Sequence, residues 1–423
     1  MLVYLFWAAV FSVVYTYLLY PALLWLLTLR KRAPQHPTPA EWPSVSLVLA
    51  AYNEIAVIRE KIENTLSLDY PTDRLEFIVV SDCSDDGTDE AVAEYADRGV
   101  KFHRLQEHGG KTMGQNAGAR LTSGEILIFS DANSIYAPDA LKELVRPFAD
   151  PKIGCVCGEL RYANPDQLAA GKGEGFYWRY EQFLKRRESL LTSTLGANGS
   201  IYALRRELFD ELGPEIISDF IMPIRVWCKG FRVVYESRAV AVEHSGARFR
   251  DEFRRRTRII SRSAYSLWTE AGVLNPFAHG FFAFQLFSHK LLRWLVPLFM
   301  IAILIGAALL AADPLYQFLL GLQLLFYLLA ILGNLFQRQL GSLGLFYIPA
   351  YFCATNFGAL LGLWNFLTGR RYQVWQTASR EGSRERRPPH PSPAAQRFRR
   401  RQPGFDLLPV DEIRRRHAHE RGG

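Results

Sequence analysis

The stretch VSLVLAAYNE (Val45–Glu54) is followed by LEFIVVSDCSDDGT (Leu75–Thr88) and then by EILIFSDAN (Glu125–Asn133). Each starts as a short apolar run and ends in small or polar residues. That is how a strand buried on both faces reads where it opens into a loop at its carboxyl end. Segments of helical spacing stand between the runs: Glu54–Leu68, about Thr88–Ala96 and Lys111–Leu121, with Lys101–Leu105 as a short strand. Pro138–Phe148 follows as a helix with proline in its first turn. This βαβα order predicts a doubly wound, mainly parallel sheet with helices on both faces. Beyond Lys152 the spacing predicts strands over Ile153–Tyr162, Ile201–Leu204, Arg232–Tyr235 and Ala239–Val242. It predicts helices over Gly175–Leu191, Asp219–Lys229 and Asp251–Trp268, the last strongly basic.

Outward from this α/β region the chain turns apolar. Leu2–Leu29 carries no charge and exceeds the ~20 residues that cross a hydrocarbon core. It lacks the basic start, short apolar centre and small-residue cleavage site of a secretory leader, so it reads as an uncleaved anchor. Arg30, Lys31 and Arg32 then place the following residues on the cytoplasmic side. A second apolar block divides at Asp313-Pro314 and at Gln337-Arg338-Gln339 into three spans, about Leu291–Ala312, Leu315–Phe336 and Leu343–Leu367. Pro276–Lys290 is aromatic but interrupted by His279, Gln285, His289 and Lys290, and reads as a helix lying in the interface. The expected organisation is an anchor over 1–30, an α/β domain over 43–268, an interfacial amphipathic helix over 269–290, membrane helices over 291–367 and a basic disordered tail over 380–423. Four crossings would leave the tail outside, whereas Arg370 and Arg371 argue for inside, so the parity stays open. The expected place is the inner cell membrane, multi-pass, with the α/β domain in the cytoplasm.

Of the 423 residues 49% are hydrophobic, and the net charge of +8 gathers near the apolar spans and in the tail. Basic residues so placed anchor to anionic lipid, which disfavours nucleic acid as a partner. The five cysteines show no metal-knuckle spacing. Cys155 and Cys157, alternate on a strand, read as small hydrophobes in a reducing compartment.

Ligands of doubly wound sheets collect at the carboxyl ends of the strands. Here those ends carry Ala51-Tyr52-Asn53-Glu54, Ser81–Thr88 and Asp131-Ala132-Asn133, with Gly109-Gly110-Lys111 opening a helix beside them. Singly, each is an ordinary cap or turn former. Together they crowd one sheet edge with carboxylates and a lysine, as a binding cleft requires. A nucleotide diphosphate needs an acceptor for its base, a cation for its charge and usually a divalent ion. Asp82 offers the first, Lys111 the second, and Asp131 a hard oxygen ligand for Mg2+ or Mn2+ that offsets charge on the leaving diphosphate.

These strings resemble the family 2 glycosyltransferases, which have the GT-A fold; the likeness spans roughly Pro43–Leu267. The apolar flanks resemble those of the family's membrane-embedded synthases. Ala51, Tyr52, Asn53 and Glu54, with Asp82, Ser84 and Asp86, look like its nucleoside-binding strings. Gly109-Gly110-Lys111 with Asn116 resembles its glycine-lysine segment. Asp131-Ala132-Asn133 sits where the family has Asp-x-Asp, with Asn133 in place of the second aspartate, and His244 resembles a C-terminal metal-binding histidine. The Gln-x-x-Arg-Trp box of processive synthases is absent, and Arg254–Arg258 occupies that region, with Arg255 and Arg258 able to hold a diphosphate or an anionic acceptor. Gly196, Asn198 and Gly199 resemble the acceptor-side glycine loop, and Trp178 and Tyr177 offer rings to stack on a sugar. Asp219 resembles the family's acceptor-motif acid, which the likeness makes the base that deprotonates the acceptor hydroxyl; its bland role is to cap a helix. The resemblance implies inverting transfer from a nucleotide sugar, UDP-linked, to a lipid-linked or saccharide acceptor. Two rivals are a catalytically inactive membrane scaffold, favoured by Asn133, and a nucleic-acid-binding membrane protein.

Overall fold

The computed structural model describes residues 1–163, 169–243, 249–336 and 343–370; His244 and the basic tail lie outside them. In chain order the elements are α1 (Leu2–Thr28), β1 (Val45–Ala51), α2 (Ile58–Leu66), β2 (Leu75–Ser81), α3 (Thr88–Ala93), β3 (Val100–Arg104), α4 (Lys111–Arg120), β4 (Ile126–Ser130), β5 (Ile135–Tyr136), α5 (Ala140–Val145) and β6 (Ile153–Tyr162). There follow α6 (Ala169–Leu191), β7 (Ile201–Arg205), α7 (Ser218–Cys228), β8 (Arg232–Glu243), α8 (Phe249–Thr269), α9 (Pro276–Leu309), α10 (Pro314–Leu335) and α11 (Gly344–Leu367).

The strands form one sheet in the order β3-β2-β1-β4-β7-β6-β8-β5. The first four are parallel, as the sequence predicts. Antiparallel β7 then joins β4 to β6, and β5 pairs antiparallel with β8, so the second half is mixed. Alternation along β1 sends Leu47 and Leu49 to one core with Ile58 and Ile62 of α2, and Val48 to the opposite core with Ala117 of α4. Both faces are covered, which is why the strand reads as an unbroken apolar run. Cys155 and Cys157 are fully buried.

Four differences from the sequence reading have local causes. The helix expected from Glu54 starts at Ile58, because Asn53 adopts a left-handed φ of 55° and the next residues turn. The strands expected over Arg232–Tyr235 and Ala239–Val242 are one strand, β8, with a register shift opposite Gly158 and Glu159. The two-residue β5 is too short for periodicity to reveal. Pro276–Lys290 is not a separate interfacial helix but runs on into the first span of the second apolar block as α9, bent at Gly280 and widened to a π turn over Phe287–Leu291. Phe282 and Leu286 are buried against the α/β domain rather than against headgroups, and the Phe282 ring stacks on Trp227 at 4.5 Å. Of the polar residues that interrupt the segment, Gln285, His289 and Lys290 pair inside the protein. His289 lies 2.7 Å from Glu188 and 3.2 Å from Glu181 of α6, while Gln285 accepts from Thr192.

Among the described residues four helices are long and apolar enough to cross a membrane: α1, α9, α10 and α11. The chain is a membrane protein with an α/β domain between its first and second such helices.

Candidate active site

The site is assembled at the carboxyl ends of β1, β2 and β4. Two of the loops there are knitted to each other. Asn53 N–H donates to Ser84 Oγ at 3.1 Å, and Asn53 Oδ1 accepts from Asp85 N–H at 2.9 Å. Glu54 and Ile55 N–H donate to Thr88 Oγ1 and Asp86 Oδ2 at 2.9 and 3.0 Å. The Asn53, Ser84 and Asp86 side chains thus hold loop to loop, and buried Ala51 and Glu54 lie beneath them.

Asp82 has a different task from the one expected. It is fully buried, and its two carboxylate oxygens accept from Gly109 N–H at 2.7 Å and Gly110 N–H at 2.8 Å. His108 Nδ1 stands 2.8 Å from the same carboxylate, and its ring stacks on Tyr52 at 4.2 Å. In this structure the Asp82 oxygens shape the glycine turn that launches Lys111 and are not presented to a base. Asn116 is likewise committed elsewhere: its amide donates to Leu212 O at 2.8 Å and accepts from Leu212 N–H at 3.2 Å.

Lys111, the first residue of α4, reaches across the end of β4. Its ammonium pairs with Asp131 and lies 3.3 Å from Gly199 O. Asp219, in the first turn of α7, closes the group from the other side: a β-carbon on Gly199 would stand 2.7 Å from Asp219 Oδ2 and 3.0 Å from Lys111 Nζ. Residues 20 to 108 positions from Lys111 therefore meet around one ammonium. Burial pulls the Lys111 pKa down, but Asp131 and Asp219 outweigh it and hold it above its ordinary value. Burial pushes the Asp219 carboxyl up, and Asp131 reinforces this while Lys111 pulls the other way.

The acceptor-side loop packs on α7, since Ala197 N–H donates to Asp219 O at 2.7 Å and Gly196 faces Phe220. Asn198 is buried; its amide donates to Gly158 O at 2.6 Å and its oxygen accepts from Lys185. Trp178 packs on Tyr162 and donates its indole N–H to Leu160 O, so its ring serves the core. Arg255 lies within electrostatic range of Glu243 at the end of β8, and Arg258 within that of Arg262 on its own helix.

Several residues of this site escaped the sequence reading. Glu243, the last residue of β8, is buried beside Asp131 and accepts from Ser134 Oγ at 2.6 Å and from Ser200 Oγ. Burial raises its pKa, and Asp131 adds to that. Lys61 is wholly buried, donates to Ser134 O at 2.6 Å and lies 3.8 Å from the centre of the Tyr136 ring. Burial lowers its pKa to about 7, against the pull of Asp131 and Glu243. Arg262 donates to Pro214 O and Ile216 O at 2.9 and 2.7 Å beside α7. The one signal for Glu243 was its place next to His244; Lys61 and Arg262 looked like ordinary basic residues on helices.

Among the described residues no group of three His, Cys, Asp or Glu side chains is placed to hold a metal by itself. Asp131, half-buried, offers a hard carboxylate oxygen, a donor type that suits an ion of the Mg2+ or Mn2+ kind taking its other ligands from phosphates and water.

Residues 46–213 match the family described as "Glycosyl transferase family 2". A probable glycosyltransferase, YdaM, of Bacillus subtilis is 27% identical over 52% of this chain and 54% of its own length. The beta-monoglucosyldiacylglycerol synthase of Trichormus variabilis is 29% identical over 49% of this chain and 45% of its own. The poly-beta-1,6-N-acetyl-D-glucosamine synthase of Staphylococcus epidermidis is 26% identical over 46% and 48%. The chain thus spans about half the length of the curated relatives it matches. In fold it is similar to the mannosyltransferase PcManGT of Pyrobaculum calidifontis, solved with GDP-Man and Mn2+, at a TM-score of 0.69 and 22% identity over 88% of this chain and 100% of that one.

Proposed function

We propose, from the premise that this chain carries a family 2 glycosyltransferase domain of GT-A fold, that it transfers a sugar with inversion from a nucleotide-sugar donor to a lipid-linked or saccharide acceptor. In our reading the donor is UDP-linked and the reaction takes place at the cytoplasmic face of the inner membrane. The observation that carries this is the meeting of Lys111, Asp131 and Asp219 against Gly199, a residue with no side chain to fill the space.

The chemistry asks little covalent work of the protein. As the bond between the sugar's anomeric carbon and the diphosphate oxygen breaks, the acceptor oxygen bonds to the same carbon from the opposite face. The acceptor's proton passes to the Asp219 carboxylate, whose raised pKa suits it to accept one. The electron pair of the breaking bond leaves on the diphosphate, where Lys111 offsets the charge from a fixed position. Mg2+ or Mn2+ held by Asp131 and Asn133 would add further charge compensation there. The presence of Mn2+ and GDP-Man in the PcManGT structure supports a metal and a nucleotide donor for this fold.

The test is release of nucleotide by the purified full chain, offered UDP- and GDP-sugars with Mn2+. Asp219→Asn is expected to lower turnover by about 10²–10⁴-fold in a protein that still unfolds in one cooperative thermal transition. Turnover that survives Asp219→Asn would remove the base assigned here, and no turnover with any donor would favour the inactive scaffold.

A further inference from the structure

One buried cation beside the candidate active site has no part in the chemistry described so far. Lys185 of α6 is buried, and among the described residues it forms no ion pair. Its ammonium donates to Ala197 O at 3.3 Å and to Asn198 Oδ1, both neutral oxygens of the turn over 196–199, and lies 5.9 Å from the centre of the Trp178 ring. Taking an ammonium out of water is costly unless other groups replace the water, and a methionine would fill similar space without that cost. The charge of Lys185 reaches the Asp219 carboxyl. Burial and Asp131 raise the pKa of that group, while Lys111, Lys185 and Arg262 draw it down.

Two lysines grip the turn. Lys111 lies 3.3 Å from Gly199 O at one end, and Lys185 takes the other end through Ala197 O and Asn198. Ala197 N–H donates to Asp219 O at 2.7 Å, so the backbone that Lys185 holds is the backbone that seats the candidate base. Asn198 completes the grip, since its amide donates to Gly158 O at 2.6 Å. Lys185 in turn stands on a fixed support. Glu181 and Glu188, four residues before it and three after, lie on the same face of α6. Glu181 pairs with Arg293 and Lys290 of α9. Glu188 Oε1 accepts from Tyr20 Oη of α1 at 2.7 Å and lies 2.7 Å from His289 Nδ1 of α9. These acids pin α6 to α1 and α9, so the place of the ammonium between them is set by the membrane helices and not by the turn it holds.

We propose that Lys185 is a positioning residue for the transfer reaction: it holds the turn over 196–199 against Asp219, so that an acceptor hydroxyl meets the carboxylate in the right place. The proposal rests on the glycosyl-transfer reading for what the turn presents, whereas the hold itself can be measured without turnover. Lys185 bonds to the turn and to neither Lys111 nor Asp131, so its loss loosens the acceptor side and leaves the donor side in place. A residue of this kind sets kcat and not the donor KM, because geometry at the reacting atoms is worth far more in rate than in donor binding.

The test compares the purified full chain in detergent with Lys185→Met and Lys185→Arg, by amide hydrogen exchange read by mass spectrometry and by nucleotide release from UDP- and GDP-sugars with Mn2+. In Lys185→Met, exchange over 196–200 is expected to quicken by about tenfold or more, while exchange over 109–116, around Lys111, stays unchanged. Its kcat is expected to fall by about ten- to a hundredfold with the donor KM within about twofold. Lys185→Arg, which keeps a cation able to reach the same oxygens, is expected to recover most of both losses. If Lys185→Met does not fold, Asn198→Ala removes the same bond from its other end and is expected to show the same split between kcat and KM. Unchanged exchange over 196–200 in Lys185→Met would overturn the proposal. So would a donor KM that rises in step with the loss of kcat, or a loss of kcat that arginine does not restore. If the unaltered chain releases nucleotide from no donor, the glycosyl-transfer reading falls, while the exchange comparison still decides whether Lys185 holds the turn.

Discussion

Gly199 shows how narrowly the meeting of charges is drawn. A methyl group there would press on both Asp219 Oδ2 and Lys111 Nζ, and the lysine cannot retreat without disturbing its pair with Asp131. Gly199→Ala is expected to lower kcat by about tenfold or more and to shift the melting temperature only slightly, as steady-state kinetics and thermal unfolding in detergent would show. The pH profile follows from Asp219. Its carboxyl titrates above the ordinary ~3.9, chiefly through burial, so kcat is expected to fall as pH drops through that raised value. Stability moves in the opposite sense. Asp219 and Glu243, both raised, bind a proton more tightly folded than unfolded, so their contribution is full below the unfolded pKa of about 4 and is lost as pH rises through the folded values. Glu243→Gln is expected to flatten the pH dependence of the melting temperature in that window. At this scale the fold gathers the expected strings at one sheet edge and commits several of their side chains to bonds within the chain. Asp82, Asn116 and Asn198 are polar residues of the expected strings, yet each spends its hydrogen bonds on a loop of this chain. A motif states which groups are near and not which way they point.

Between residue and molecule, the element that places Lys111 is α4, and it lies very close to β1. A β-carbon on Gly114 would reach to 3.0 Å from Ala50, and one on Gly118 would overlap Val48. Gly118→Ala gains helix propensity of up to ~1 kcal/mol but forces the helix off the strand at a cost of about 1–3 kcal/mol. The expected net result is a lowered melting temperature, with KM for the donor raised because Lys111 moves with its helix. A higher melting temperature with unchanged KM would mean the contact is slack. The strands and helices of this region were legible because each is buried on a face with a definite period. The second half was harder to read, since β7 enters antiparallel and β5 has only two residues, and pairing of that kind is a tertiary matter. The start of α9 was misread for a related reason. Its histidine, glutamine and lysine looked like a surface facing water, but they pair with Glu181, Glu188 and Thr192, which lie about 90 to 110 positions away in sequence.

At the scale of the molecule, the four apolar helices among the described residues and a domain seated on the start of the second predict an integral protein. Alkaline carbonate washing of membranes is expected to leave it in the pellet, and only detergent to release it; release by carbonate would mean that the helices do not cross the bilayer. What the sequence determined by itself was the class of each segment: spans, buried strands, amphipathic helices and the ordering of polar strings at strand ends. Those are consequences of local composition and period, which a chain carries wherever it goes. Only the tertiary structure decided that Lys111 meets Asp131 and Asp219 at a glycine and that Asp82 serves a turn. Such things depend on distances between residues from 20 to more than a hundred positions apart, and a linear string carries no record of them.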